Sequence, residues 1–207
     1  MSEIAPGAFH YTGFLDKAAQ TALAEEIAEV IAAAPLYVST MPRTGAPISV
    51  RMTNCGALGW VSDKERGYRY EPRHPKTGDP WPEMPRRLLD LWNELARYPK
   101  PPEACLVNVY DERARMALHQ DKDEADFGAP ILSLSLGADC RFRLGGTRRG
   151  DPAIAFALSS GDALVLSGPA RMRYHGVDRI LPMIATPMPS VLAPFGARVN
   201  LTLRRVT

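Results

Sequence analysis

The residues best suited to do chemistry in this chain are His119, Asp121 and a distant His175. Two imidazoles and one carboxylate make the facial donor set that suits Fe(II), and they leave coordination positions open for a co-substrate and O2. On a strand, residues two apart face the same way. The run His119-Gln120-Asp121 therefore predicts that both donors reach one ion while Gln120 turns aside. Such a pair also arises by chance in unrelated chains, and an isolated histidine is commonly a packed or surface residue.

A second constellation lies in the segment 198–204, which alternates strictly with the period of a strand. Val199, Leu201 and Leu203 form its apolar side, and Arg198, Asn200, Thr202 and Arg204 form the other. That polar side meets water or lines a site. The segment 104–110 repeats the pattern, with Asn108 and Tyr110 on a shared face. Two strands thus offer amide, phenol and guanidinium groups, and a pair of arginines is matched to the two ends of a dicarboxylate.

These groups need elements to hold them. Asp16 is placed to cap a helix running to about Ala34, with Leu23, Ile27, Val30, Ile31 and Ala34 on one stripe and Pro35 ending it. A second helix is expected after Pro85, with Leu88, Leu89, Trp92 and Leu95 inward, up to Pro99. From Ala104 the text breaks into short alternating runs at 104–110, 115–119, 131–136, 140–144, 154–158, 163–167, 171–175 and 198–205, separated by turn signals such as Gly145-Gly146. Helices followed by many short strands predict an α+β chain built on a double-sheet jelly roll, with the helices packed on one sheet and the metal between the sheets. The stretch from Arg179 to Ala197 holds four prolines and no clear period, and a loop of that length points to a functional flap or local disorder.

Length and charge are compatible with many functions. At 207 residues the chain reads as one domain, and a net charge of +2 makes no global case for a polyanionic partner. The distribution is uneven: six acids against three bases from Asp111 to Asp126, then seven bases against three acids from Arg141 to Arg179, which places the metal in the acidic stretch and leaves the basic one free to face phosphates. Cys55, Cys105 and Cys140 are odd in number and form no CxxC pair, which argues against a disulfide framework or a zinc site and for a reducing compartment. No run approaches membrane-spanning length and the N-terminus lacks a basic-then-apolar leader, so the expectation is a cytoplasmic protein.

Six blocks in order, Met52 to Trp60, Pro80 to Pro85, Ala104 to Tyr110, Leu118 to Glu124, Tyr174 to Gly176 and Arg198 to Arg204, resemble the AlkB family of Fe(II)- and 2-oxoglutarate-dependent dioxygenases, most closely its bacterial DNA-repair members. The resemblance covers about Ile48 to Arg204. It implies a jelly-roll (double-stranded β-helix) dioxygenase core over about 104–207, and N-terminal helices with a nucleotide-recognition lid over about 1–103. It also implies oxidative demethylation of bases such as 1-methyladenine and 3-methylcytosine in DNA, with succinate, CO2 and formaldehyde released.

Site roles follow from the same resemblance. His119, Asp121 and His175 would hold Fe(II). Arg198 and Arg204 would bind the carboxylates of 2-oxoglutarate, with Asn108, Tyr110 and Asn200 beside them. Trp60 and Tyr68 match the aromatic residues of the lid, where the extruded base stacks against His119, and Arg51, Lys64, Arg66, Arg69, Arg73 and Lys76 surround them as a basic cluster suited to single-stranded backbone. Arg149 and Met52 fall among the implied substrate contacts. Asp123 would face the alkylated base. These bases are cationic, and a carboxylate about 4 Å away favours them by roughly 4 kcal/mol before desolvation is deducted. Where the family carries a tryptophan on the strand before the second histidine, this chain has Leu166, which puts one pocket wall in doubt, and the Arg179 to Ala197 connection is longer than the family's. The expected partner is single-stranded DNA, with RNA and double-stranded DNA also open, acted on by a monomer. The alternatives are a nucleic-acid-binding jelly roll without turnover and the same oxygenase chemistry on RNA or protein.

Overall fold

The computed structural model describes residues 1–182 and 188–207. Its centre is an eight-stranded antiparallel sheet whose members, in chain order, are β1 (Ser2–Ala5), β2 (Ala8–Tyr11), β3 (Tyr37–Thr40), β4 (Pro47–Gly56), β7 (Ala104–Tyr110), β8 (Ile131–Gly137), β11 (Ala163–Leu166) and β13 (Arg198–Arg204). Across the sheet the order is β1-β2-β11-β8-β13-β7-β4-β3. A smaller sheet, ordered β10-β9-β12, is made from β9 (Cys140–Leu144), β10 (Ile154–Leu158) and β12 (His175–Ile180). The hairpin of β5 (Gly59–Asp63) and β6 (Gly67–Glu71) forms a separate two-stranded sheet in the segment expected to act as a lid. Two sheets of this kind face to face form the expected jelly roll.

Helix α1 (Lys17–Ala33) starts where the sequence predicts: the Asp16 carboxylate accepts a hydrogen bond from the Ala19 amide at 2.8 Å. Its stripe of Leu23, Ile27, Val30 and Ile31 is buried against the major sheet together with Val199, Leu201 and Leu203 of β13. The second helix is shorter than expected. It runs over Arg86–Leu91 as α2 and widens into a π-helical turn at Trp92–Ala96. Arg97 then stops it in the left-handed conformation, φ 51°, ahead of Pro99. No helix among the described residues is long and apolar enough to cross a membrane.

Three expectations are corrected. Residues 115–119 form no strand: only His119 makes a β-bridge, to His175. Residues 171–174 form a turn after a short 3-10 segment, and the strand begins at His175 instead of ending there. The first half of the chain contributes β1 to β4 to the major sheet as well as helices and lid, because β4 pairs with β7 from Arg51↔Val109 to Gly56↔Ala104. Of the proline-rich stretch expected to be a flap, Arg179 and Ile180 belong to β12, residues 190–195 form turns, and 183–187 lie outside the described residues.

Candidate iron and co-substrate site

Every residue of β13 is buried, so the polar side of that strand does not meet water. It faces a cavity between the sheets whose lining includes Asn108, Tyr110, His119, His175, Arg198 and Arg204. The apolar walls come from Leu106, Ile131, Phe142, Leu158, Leu164, Leu166 and Val177. Leu166 is thus part of the cavity, where it presents an aliphatic side chain.

His119, Asp121 and His175 converge at one end of this cavity, with a ligand atom from each within 4.8 Å of the others. His119 Nε2 and His175 Nε2 each lie 3.6 Å from an Asp121 oxygen. The other ring nitrogens are already committed: His119 Nδ1 donates to the Ala117 carbonyl at 2.9 Å and His175 Nδ1 to the Arg173 carbonyl at 3.0 Å. This fixes the tautomer that leaves both Nε2 lone pairs turned towards Asp121, the arrangement in which imidazoles bind metal. Burial and the neighbouring His175 ring push His119 down to about 4, so it is neutral at pH 7 and ready to ligate. Burial alone would raise Asp121, but Arg204 and the two imidazoles outweigh it and hold the carboxyl well below the usual range. The donor set fits Fe(II).

Strand geometry does not bring His119 and Asp121 together, contrary to the expectation from their spacing. They sit on an irregular strap pressed against β12. The His119 and His175 backbones exchange hydrogen bonds at 3.0 and 2.9 Å, and the Met116 amide reaches the Val177 carbonyl at 2.9 Å. A Cβ on Gly176 would come within 2.5 Å of the Met116 carbonyl, which is why the residue after the second histidine has no side chain. The strap is then clamped from below. Arg171, 2 % exposed, donates from Nη1 to the Asp121 carbonyl at 2.7 Å, from Nε to Ala129 at 3.0 Å and from Nη2 to Glu124 at 3.1 Å. Arg204 closes the other side, 2.8 Å from Asp121 and 3.4 Å from Glu124. Tyr70 of the lid donates to Glu124. Arg171, Glu124 and Tyr70 were missed in the sequence, where Glu124 looks like one more acid of a solvated run and no local signal separates a buried charge from an exposed one.

Arg198 is different from Arg204. It is 1 % exposed and donates only to neutral groups, the Ala138 and Leu158 carbonyls at 2.9 and 3.2 Å and Ser135 Oγ at 2.6 Å, while its Nε has no partner. The side-chain oxygen of Asn108, beside it on the cavity wall, is likewise buried and unpartnered. A buried cation with no carboxylate near it is costly, and its position calls for an anion in the cavity. Asn200 lines the same cavity, with its amide donating to Ser133 Oγ at 2.7 Å and the Leu134 carbonyl at 3.0 Å, which ties it to the wall that also carries Arg198.

The lid lies over the strap. Trp60 Nε1 donates to Asp123 at 2.8 Å, and the Trp60 and Tyr68 rings stack with centroids 5.5 Å apart. Asn54 brackets the Trp60 peptide, accepting from its amide at 3.0 Å and donating to its carbonyl at 3.2 Å, and the Tyr37 hydroxyl reaches the same carbonyl at 3.0 Å. Gly59 is required because the Trp81 ring occupies the place of a Cβ, 2.3 Å away, which ties together two of the sequence blocks. Met52 is not a surface for substrate: it is wholly buried beneath the lid with Tyr37, Val61, Trp81 and Leu106. Half of the basic cluster around the lid is paired with acids of the chain. Arg51 pairs with Asp111, Arg66 with Glu71, and Arg69 with both Asp63 and Glu71. Arg149 stands at the exposed β9–β10 connection, its guanidinium 5.5 Å from the centre of the Tyr174 ring.

The profile of the 2OG-Fe(II) oxygenase superfamily matches residues 7–204. The chain is 52% identical over 202 residues to an alpha-ketoglutarate-dependent dioxygenase AlkB homolog of Caulobacter vibrioides, covering 98% of this chain and 89% of that one. It is 40% identical over 206 residues to the alpha-ketoglutarate-dependent dioxygenase AlkB of Escherichia coli K12, covering 98% and 91%. The solved structure of OsALKBH1 superposes with a TM-score of 0.79 at 28% identity, over 99% of each chain.

Proposed function

The chain belongs to the AlkB family of Fe(II)- and 2-oxoglutarate-dependent dioxygenases, and from that premise we propose that it oxidatively demethylates alkylated bases in nucleic acid, with single-stranded DNA as its first substrate. The observation that carries this reading is the pairing of an iron-ready triad with the uncompensated Arg198 charge in one cavity, under a lid whose indole is bonded to Asp123. Within it, His119, Asp121 and His175 hold the ion, and Arg198 and Arg204 neutralise the dicarboxylate with Asn108 and Tyr110 alongside. When bound, Fe(II) with 2-oxoglutarate and O2 supplies the oxidant that hydroxylates the methyl carbon, after which formaldehyde leaves the base. The chain's own contribution is to hold these groups in a dry pocket and to choose the base.

That choice falls to Trp60, Tyr68 and Asp123. Stacking an extruded base is worth about 1–3 kcal/mol, comparable to the cost of flipping it, so unpaired and damaged bases enter most readily. One Asp123 oxygen accepts the Trp60 indole proton, and the carboxylate's charge favours the cationic rings of 1-methyladenine and 3-methylcytosine. The three free, buried cysteines agree with a reducing, cytoplasmic setting.

The test is mass spectrometry of a single-stranded oligonucleotide carrying 3-methylcytosine, incubated aerobically with the protein, Fe(II), 2-oxoglutarate and ascorbate. Loss of one CH2 that depends on 2-oxoglutarate is expected. Succinate formed without that loss would redirect the chemistry to RNA or protein, and neither signal would leave only a binding module.

A further inference from the structure

The outer face of the small sheet carries charge that the site just described does not use. On β9, Cys140, Phe142 and Leu144 point inward, so Arg141 and Arg143 point out, about 7 Å apart along the strand. Arg179 of β12 sits directly opposite Arg141 in the ladder. Like charges placed directly across a strand pair repel and destabilise the sheet. Among the described residues the acid paired with them is Asp178, 3.6 Å from Arg141, and Arg143 and Arg179 make no ion pair or side-chain hydrogen bond. The neighbouring β10 sets Ala155 opposite Arg143 and Ala157 opposite Arg141, both exposed, so nothing bulky screens the arginines on that side. The row leads to the active-site mouth. Gly145, which follows β9, bonds to the Tyr174 carbonyl at 2.7 Å, and Tyr174 precedes the ligand His175 and lies against Arg149.

We propose that Arg141, Arg143 and Arg179 form a second contact surface for nucleic acid, which grips the phosphodiester backbone of the reacting strand beyond the base held in the site. The proposal rests on the demethylase reading and extends it from the reacting nucleotide to its flank. A polyanion resolves the repulsion between Arg141 and Arg179, and guanidinium groups match phosphate in geometry as well as charge. Around the lid, Arg51, Arg66 and Arg69 already hold acids of the chain itself, so half of that basic cluster is spent, whereas among the described residues Arg143 and Arg179 hold none. Affinity should therefore grow with the length of the strand, although the chemistry needs only one base.

The test compares the wild type with the triple variants R141Q/R143Q/R179Q and R141K/R143K/R179K, on methylated single strands of about three and about fifteen nucleotides over a range of salt concentrations. In the glutamine variant the long strand should bind roughly tenfold to a hundredfold more weakly near 0.1 M salt, and the salt slope should fall by about two, as expected for three lost phosphate contacts at ~0.7 each. The short strand should be repaired at the wild-type rate, which also shows that the variant is folded, and the lysine variant should keep most of the slope. An unchanged slope in the glutamine variant, with normal repair by the wild type, would overturn this proposal and leave the demethylase reading standing. The same slope is measured on a duplex of about fifteen base pairs, and a loss confined to that duplex would overturn the assignment to the reacting strand. Absence of binding and repair by the wild type itself would overturn both.

Discussion

In the pocket, Asp121, Glu124, Arg171 and Arg204 are all buried, and each charge touches an opposite one. The lid above it rests on apolar packing, with Val61 buried among Tyr37, Met52, Trp81 and Leu106, and on a few hydrogen bonds at Trp60, Ser62 and Tyr70, and it pairs Arg66 and Arg69 with acids of the hairpin. The first region is fixed by directional charge contacts and the second largely by non-directional packing. Buried charges that touch on several sides accept one arrangement, which suits groups that must present donors to an ion at fixed positions. A hairpin held by packing and a few hydrogen bonds can shift without stranding a buried charge, which suits a surface that admits bases of different shape.

If that contrast is right, losses made in the pocket should be total and losses made in the lid partial. The largest effect is expected from Asp121→Asn, which keeps the shape and removes the ligand charge: succinate formation and iron content should both fall to background, and turnover comparable to wild type would end the iron assignment. Next comes Glu124→Gln, which leaves Arg171 and Arg204 facing a neutral amide. Breaking a buried pair costs about 3–5 kcal/mol, so urea unfolding should shift by that order, whereas a shift under about 1 kcal/mol would mean the cluster is not the clamp described. Trp60→Ala should lower kcat/KM for methylated oligonucleotide about tenfold to a hundredfold, from the stacking energy lost, with succinate formed in the absence of nucleic acid unchanged. An equal loss in both assays would place Trp60 in the pocket's machinery and erase the distinction. The smallest effect belongs to Tyr37→Phe, which removes one tether of the lid at a cost of about 1 kcal/mol; hydrogen exchange should quicken in β5 and β6 and stay unchanged in β7 and β13.

The two regions also differ in how well the sequence revealed them. The strict alternation of 198–204 revealed both faces of β13, because period is a local property, and the donor types pointed to the triad, although His119 and Asp121 meet on an irregular strap and not on the strand their spacing suggested. The residues that hold the strap were hidden. Arg171 and Asp121 meet across fifty positions, and a buried arginine is written with the same letter as a solvated one. The lid shows the converse error: six bases around two aromatic residues looked like a cationic surface, yet Arg66 and Arg69 are spent on Asp63 and Glu71 of the same hairpin and Arg51 on Asp111. Met52 misled for a related reason, since membership in a matching block says nothing of whether a side chain is buried.

The hairpin of β1 and β2 lies far from these exchanges along the chain, yet β2 pairs with β11 from Ala163↔Tyr11 to Leu166↔Ala8, and β11 supplies Leu164 and Leu166 to the cavity wall. Removing the first dozen residues would strip that strand of its neighbour and expose a row of unsatisfied amides and carbonyls on a largely apolar segment. Bare edges of this kind recruit other chains. The opening residues, which carry none of the chemistry, thus guard the protein against self-association, and a shortened form should be recognised first by its tendency to precipitate.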